Sequence, residues 1–317
     1  VVVSLCIPVF RTGFVNRQSA AIRAQRMNFA RVLFLDSSPG GFPGEVRDFG
    51  RIVPIDPRTY DHGGTRRLGT ALLADADIIV FLTEDAVPAD AHAIANLVAC
   101  FDDPTVGAAF GRQLPRPEAG PIERHARLFN YPPKSQVKSS ADIHRLGLKA
   151  AFISNSFAAY RRDALIAVGG FPERNIVSED TLVAARMLRA GWRIAYSAQA
   201  RVYHSHPYNG VQEFKRYFDI GVFHARQPWI RHSFGGAEKE GLRFLKSEFA
   251  FLRDDPLQVL AALLRLPCRY LGFRAGLVER FLPPVLKSWC SMQKNFWRRE
   301  KSSLLAPPQS AQKAGIR

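Results

Sequence analysis

The stretch DIIVFLTED, residues 77–85, decides how this chain is read. Its apolar run, Ile78–Leu82, is the length of a strand and too short for a helix, and unbroken apolar character marks a strand covered on both faces. Similar runs stand upstream: VVVSLCI at 1–7, stopped by Pro8, RVLFLD at 31–36, and RIVPI at 51–55. Helical patterning separates them over Phe14–Met27 and Gly64–Ala74, and continues after the quoted stretch over Ala89–Phe101, followed by a strand at Val106–Gly111. Buried runs alternating with helices predict an α/β fold, a mostly parallel sheet with helices on both faces. Ligands of such sheets bind beyond the carboxyl ends of the strands. That rule gathers Pro8–Arg11, Asp36–Ser38 and Thr83–Asp85 around one crevice.

The second half is patterned differently. Leu114–Leu148 is polar and proline-bearing and is expected to be a long loop or excursion. Arg161–Val168 reads as a short helix stopped by Gly169-Gly170, and Ser178–Ala190 as a helix with Ser178 at its N-cap and Gly191 past its end. Arg193–Tyr196 and Arg201–Tyr203 are expected as two short strands. From Val211 the chain is helical and aromatic, and Ser302–Arg317 reads as a polar, disordered tail.

Composition narrows the classes. The 317 residues are 47% hydrophobic and 23% charged, which excludes disorder as the main state. No run approaches the roughly 18 apolar residues a bilayer span needs. Four scattered cysteines without a CxxC pair suggest a reducing compartment and neither a zinc site nor a disulfide framework. The start carries no basic, apolar leader pattern, so no signal peptide is expected. The net charge is +16, and residues 231–317, with 16 basic and 7 acidic residues, hold more than half of it. Such an excess favours an anionic partner: nucleic acid, a phosphorylated ligand or an anionic membrane surface.

Several clusters could carry chemistry, each with a plainer alternative. Asp36, ending a buried strand before a Ser/Gly/Pro loop, could accept from a base or ribose, or bind its own turn. Asp61–Arg67 (DHGGTRR) could cradle an anion at a helix start, or be a solvated basic face. Thr83-Glu84-Asp85 could hold a divalent cation through oxygen ligands, or be solvated acids. Glu179-Asp180 could supply a general base, or merely favour the helix dipole. His204 and His206 are expected to face opposite sides, so that at most one reaches a given metal.

Taken in order, these pieces resemble the family 2 glycosyltransferases of the GT-A fold, most closely the bacterial rhamnosyltransferases of surface polysaccharide synthesis. The resemblance covers roughly residues 3–230 and rests on ordered motifs. They are IPVF (7–10), FLDSSPGG (34–41), YDHGGTRR (60–67), FLTEDAVP (81–88), SNSFAAYRRDALIAVGGFPE (154–173), VSEDTLVAARMLRAGWRIAY (177–196) and ARVYHSHPYNGVQEFKRYFDIGVFHAR (200–226). It implies an inverting transfer of a sugar, rhamnose by the branch, from a nucleotide-diphosphate donor to a saccharide or lipid-linked saccharide. It further implies that Pro8 and Asp36 hold the base, with Arg66 in the basic patch near the nucleotide. Asp85 and His204 would bind Mg²⁺ or Mn²⁺, with His206 in reserve and Glu84 beside the donor, and Asp180 would be the general base. The first position of the family's DxD motif is Thr83 here, which leaves one carboxylate in place of two.

This implies residues 1–230 as a GT-A catalytic domain, 231–300 as a basic amphipathic helical extension and 301–317 as the tail. The extension suits helices lying on an anionic membrane, placing the enzyme peripherally on the cytoplasmic face next to its acceptor. The same apolar faces could instead pack on the catalytic domain or join a homodimer. Nucleic acid is not expected as a partner, since no recognised binding motif accompanies the charge. The other functional reading is a catalytically silent GT-A domain that binds a membrane or an assembly partner.

Overall fold

A computed structural model of the chain describes residues 1–305 apart from 11, 12, 14, 40, 43–45, 47 and 237. The expected Arg11 contribution and the tail beyond residue 305 therefore lie outside the described residues. The first elements are β1 (Val3–Val9), α1 (Val15–Arg23), β2 (Arg31–Asp36), β3 (Arg51–Pro54), α2 (His62–Leu72), β4 (Ile78–Leu82), β5 (Val87–Pro88) and α3 (Ala93–Val98). Next come β6 (Val106–Leu114), α4 (Pro121–Asn130), β7 (Gln136–Lys138), α5 (Ile143–Leu146), β8 (Phe157–Arg161), α6 (Arg162–Ala167), α7 (Glu179–Arg189) and β9 (Arg193–Tyr203). The chain then continues in helices: α8 (Gly210–Arg226), α9 (Pro228–Phe234), α10 (Glu238–Leu252), α11 (Pro256–Leu277), α12 (Pro284–Cys290) and α13 (Lys294–Leu305).

One sheet organises the fold, in the order β3-β2-β1-β4-β8-β6-β9-β5, with β7 also on β9. The α/β class is as expected. The strands β3-β2-β1-β4 run parallel, whereas β8 is antiparallel to both neighbours and β5 and β7 are antiparallel to β9. Alternation along the central strands explains the two-sided core. Leu5, Ile7, Val80 and Leu82 pack on one face, and Cys6, Ile79 and Phe81 on the other, with Tyr160, Phe171 and Leu182. Burying each such side chain contributes about 1.5–3 kcal/mol.

Three expectations change. Leu114–Leu148 is not a loop: it holds α4, β7 and α5. The helix α4 buries Ile122 against Leu252 and Ala262 of α10 and α11, partners that local pattern does not reveal. The two strands expected at 193–203 are one, β9. It pairs in parallel with β6 and absorbs a register shift, Gly111 opposite Ser197 but Arg112 opposite Arg201. Such an irregularity re-aims the side chains beyond it. Third, α13 runs to Leu305, into the stretch expected as tail.

The C-terminal helices hold to the sheet domain. Gly272 and Gly276 of α11 and Gly221 of α8 bring the two helices so close that a Cβ on any of the three would run into a backbone carbonyl oxygen of the other helix. The oxygens belong to Phe214, Phe218 and Phe273 respectively. Further on, Ser291 Oγ donates to Asp219 at 2.5 Å and Met292 N at 3.0 Å. Asn295 Nδ2 donates to Pro57 O at 2.9 Å, and Arg299 meets Asp61 at 3.3 Å and Thr59 O at 3.0 Å. No described helix is long and apolar enough to cross a membrane.

Candidate functional site

A cavity of about 1000 Å³ opens beyond the sheet. Its wall includes Arg66, Thr83, Asp85, Gln113, Arg127, Asn155, Asp180, His204, His206 and, from the C-terminal segment, Met292 and Gln293. Four of the seven residues expected at the site, Arg66, Asp85, Asp180 and His204, thus meet in one space, with His206 among them. Pro8, Asp36 and Glu84 do not line it. Pro8 is buried in β1 opposite Leu35. Asp36 accepts from Ser38 N at 2.9 Å and from Ser38 Oγ, which is the turn alternative. Glu84 accepts from Phe10 N at 2.7 Å and so ties the end of β4 to the end of β1.

The DHGGTRR segment is built for packing. Asp61 caps α2 by accepting from Gly64 N at 2.8 Å. A Cβ on Gly63 would strike Pro172 O, so this glycine serves a close approach of two chain segments. Arg66 is not an open anion site either. It is buried, and its Nη1 donates to Glu179 Oε1 at 2.9 Å.

At the start of α7 two adjacent carboxylates part ways. Ser178 has φ +62° and its side chain makes no capping bond, contrary to its expected role. Glu179 is buried and also accepts from Asn155 Nδ2 at 3.2 Å. Burial pushes its carboxyl up most strongly of any single cause, but the charges of Arg66 and His62 together with its hydrogen bonds hold it below its ordinary value. Asp180 lines the cavity and accepts from the backbone N–H of Asn155 at 3.1 Å and of Thr181 at 2.7 Å. Burial, and then the Glu179 charge, raise its carboxyl to about 6. Two carboxylates driven apart by their surroundings are a usual mark of divided acid and base roles.

Facing them, Asp85, His204 and His206 each offer a ligand atom, all within 4.8 Å of one another. Asp85 lies 3.4 Å from His204 Nε2 and 3.5 Å from His206 Nε2. The expected opposition of the two rings is wrong on two counts. Residues two apart share a strand face, and β9 in any case ends at Tyr203. Burial would raise the Asp85 carboxyl, but the two imidazoles beside it, His204 first, hold it well below the carboxylate range. Burial lowers both imidazoles, His206 to about 3. Ionised carboxylate and neutral imidazole are the forms that bind metal. Arg116 also donates to Asp85 O at 2.8 Å and approaches Oδ2 at 3.5 Å.

The family model described as "Glycosyl transferase family group 2" matches residues 78–292. An O-antigen chain rhamnosyltransferase of Salmonella typhimurium, RfbN, is 44% identical over 301 residues, 93% of this chain and 96% of the relative.

The chain belongs to the family 2 glycosyltransferases.

A second rhamnosyltransferase, WbaN of Salmonella anatum, is 42% identical to this glycosyltransferase over 93% of its length and 95% of the relative's. Among solved structures, a mannosyltransferase from Pyrobaculum calidifontis in complex with GDP-Man and Mn²⁺ aligns at TM-score 0.57 and 19% identity, over 95% of this chain and 86% of that one. TarS 1–349 of S. aureus with UDP-GlcNAc aligns at TM-score 0.52 and 12% identity, over 96% and 92%. These two show the fold, GT-A. The glycosyltransferase also carries site residues that motif order did not single out: Gln113, Arg116, Arg127 and Asn155. Arg116 and Arg127 sat in the stretch expected as loop, while Asn155 stood in plain view within SNSFAAYRR.

Proposed function

We propose that this glycosyltransferase transfers rhamnose, with inversion, from a nucleoside-diphosphate donor to a saccharide or lipid-linked saccharide. The observation that carries the reading is Asp180, a carboxylate on the cavity wall raised to about 6 while its neighbour Glu179 is held by Arg66. The names of the two Salmonella relatives support the sugar.

In the step proposed, the acceptor oxygen bonds to the anomeric carbon while the bond from that carbon to the diphosphate breaks. The hydroxyl proton passes to Asp180, and the bonding pair leaves with the nucleoside diphosphate. One displacement needs one base, unlike a retaining glycosidase with its two close carboxylates. Two backbone N–H groups fix Asp180 in place, so the base is oriented before substrate arrives. Arg66 acts through Glu179, and Pro8, Asp36 and Glu84 shape the donor side at the strand ends. Asp85, His204 and His206 fit a divalent cation: one carboxylate and two imidazoles within 4.8 Å. Such a cation, when bound, supplies positive charge to the departing diphosphate. Nitrogen ligands argue for Mn²⁺ over the oxygen-seeking Mg²⁺, and His206 makes up for the missing first acid at Thr83.

The reading is tested with nucleoside-diphosphate rhamnose of each common base, saccharide acceptors and Mn²⁺. Acceptor-dependent release of the nucleoside diphosphate with an inverted linkage is expected. Release from a mannose or N-acetylglucosamine donor alone would overturn the sugar.

We also propose that residues 1–230 hold the donor and base while 231–300 present a surface to an anionic membrane on its cytoplasmic side. One face of α11 is taken by α8. Elsewhere Leu257, Leu264, Phe281, Val285 and Trp289 are 65–79% exposed, with Arg253, Arg274 and Arg280 exposed beside them. Apolar side chains edged by basic ones suit a helix seated among headgroups. Liposome binding tests this, and dimerisation through the same face is the outcome that would displace it.

A further inference from the structure

Gln113 is hydrogen-bonded to His204. It lies on β6, 2% exposed, opposite Val202, one residue before Leu114, whose carbonyl accepts from His204 N at 3.0 Å. Its Oε1 is approached by Arg127 Nη1 and by His204 Nδ1, the latter at 2.9 Å, and its Nε2 donates to Ser154 Oγ at 2.9 Å. Donor chemistry assigns every atom here. A guanidinium only donates, so the amide atom facing Arg127 is oxygen. His204 Nδ1 faces that same oxygen and therefore carries a proton. A neutral imidazole has one N–H, so Nε2 keeps its lone pair. Nε2 is the nitrogen 3.4 Å from Asp85 Oδ1. A lone pair and a carboxylate turned toward each other repel, and a cation between them converts the repulsion into two bonds.

We propose that Gln113 is a positioning residue for the divalent cation: its oxygen, held by the Arg127 guanidinium, accepts the Nδ1–H of His204 and so turns an Nε2 lone pair toward Asp85. This rests on the cation reading of Asp85, His204 and His206. It brings α4, which carries no ligand, into the cation site, because Arg127 fixes the amide. Arg127 Nε is buried with no hydrogen-bond partner among the described residues. Outer partners of this kind typically change metal affinity by about 10–100-fold.

The experiment compares full-length wild type with Gln113→Leu, Gln113→Met and Gln113→Glu. Mn²⁺ affinity is measured by paramagnetic resonance titration without donor. Histidine tautomers are read in metal-free protein by long-range proton–nitrogen correlation, with the His204 signals assigned through their loss in His204→Gln. Wild type is expected to show His204 as the Nδ1–H form. Gln113→Glu, which keeps an acceptor at the same point, retains tautomer and affinity. Gln113→Leu and Gln113→Met lose the preference and bind Mn²⁺ about 10–100-fold more weakly with melting unchanged. An Nε2–H His204 in wild type, undiminished Mn²⁺ affinity in both apolar variants, or losses that only track melting temperature would overturn the proposal. If wild type binds no more Mn²⁺ than Asp85→Asn while His204 remains Nδ1–H, the cation reading itself has failed, and the proposed role fails with it.

Discussion

Arg66 and Glu179 meet at 2.9 Å with side chains 3% and 9% exposed, so the guanidinium is taken by Glu179 and not by the neighbouring Asp180 on the cavity wall. Removing one partner strands the other in a poorly solvated place. Arg66→Met should destabilise the fold by about 3–5 kcal/mol, the usual cost of breaking a buried pair. Denaturant unfolding measures it, and a loss below about 1 kcal/mol would mean that water reaches Glu179.

The pH dependence should come from Asp180, the proposed base. As a base it must be ionised, so kcat/KM should hold steady above about 6 and fall as pH drops through that value. Glu179→Gln removes a negative charge that raises Asp180, while Arg66 stays to lower it. The acid limb should therefore move to lower pH, as pH–rate profiles of the two proteins would reveal.

Asp180→Asn keeps the hydrogen-bonded position but cannot take a proton. Turnover should fall by about 10²–10⁴-fold with donor affinity retained. Turnover near wild type would point to a silent domain contaminated by another transferase, or to a different base.

His204→Ala and His206→Ala should weaken Mn²⁺ binding alike, since both imidazoles stand within 3.5 Å of Asp85. Each loss should at least match the roughly 10–100-fold typical of outer-shell changes. Calorimetric titration in which one variant keeps full affinity would remove that histidine from the set.

For the surface, Leu257→Glu, Leu264→Glu and Trp289→Glu should abolish co-sedimentation with anionic liposomes and leave the melting temperature unchanged, because those side chains are already in water. In contrast, Gly276→Val should cost about 1–3 kcal/mol or more through overpacking, since its Cβ meets Phe218 O. If the three glutamate variants melt early, the face is packed in solution.

What could be read without coordinates depended on how local the signal was. The bounds Arg31–Asp36 were legible to the residue because burial on both faces leaves an unbroken apolar run. Motif order named Asp85, Asp180 and His204, and the fold brings the three to one cavity wall. The helix α4 was not, because PIERHARLFN buries only Ile122 and His125, and its partners lie more than a hundred residues away on α10 and α11. The Gln113–His204 contact was hidden for a related reason: it depends on the register shift between β6 and β9, which no periodicity announces. DHGGTRR was legible as a helix start but misleading as an anion site, since only the fold brings Pro172 to Gly63 and Glu179 to Arg66.

The contacts from Ser291 through Arg299 bear on the order in which the molecule is made. Asp85, Asp180, His204 and His206 leave the ribosome early, and domains fold from the N-terminal side during synthesis. The segment that carries Met292 and Gln293 into the cavity wall, and that ties Asn295 and Arg299 to Pro57–Asp61, emerges only after all four. A nascent chain therefore holds these four side chains before the loop at Pro57–Asp61 is braced. Unfinished or C-terminally clipped molecules should accumulate as chemically equipped but unbraced species, poor competitors for the cell's sugar nucleotide.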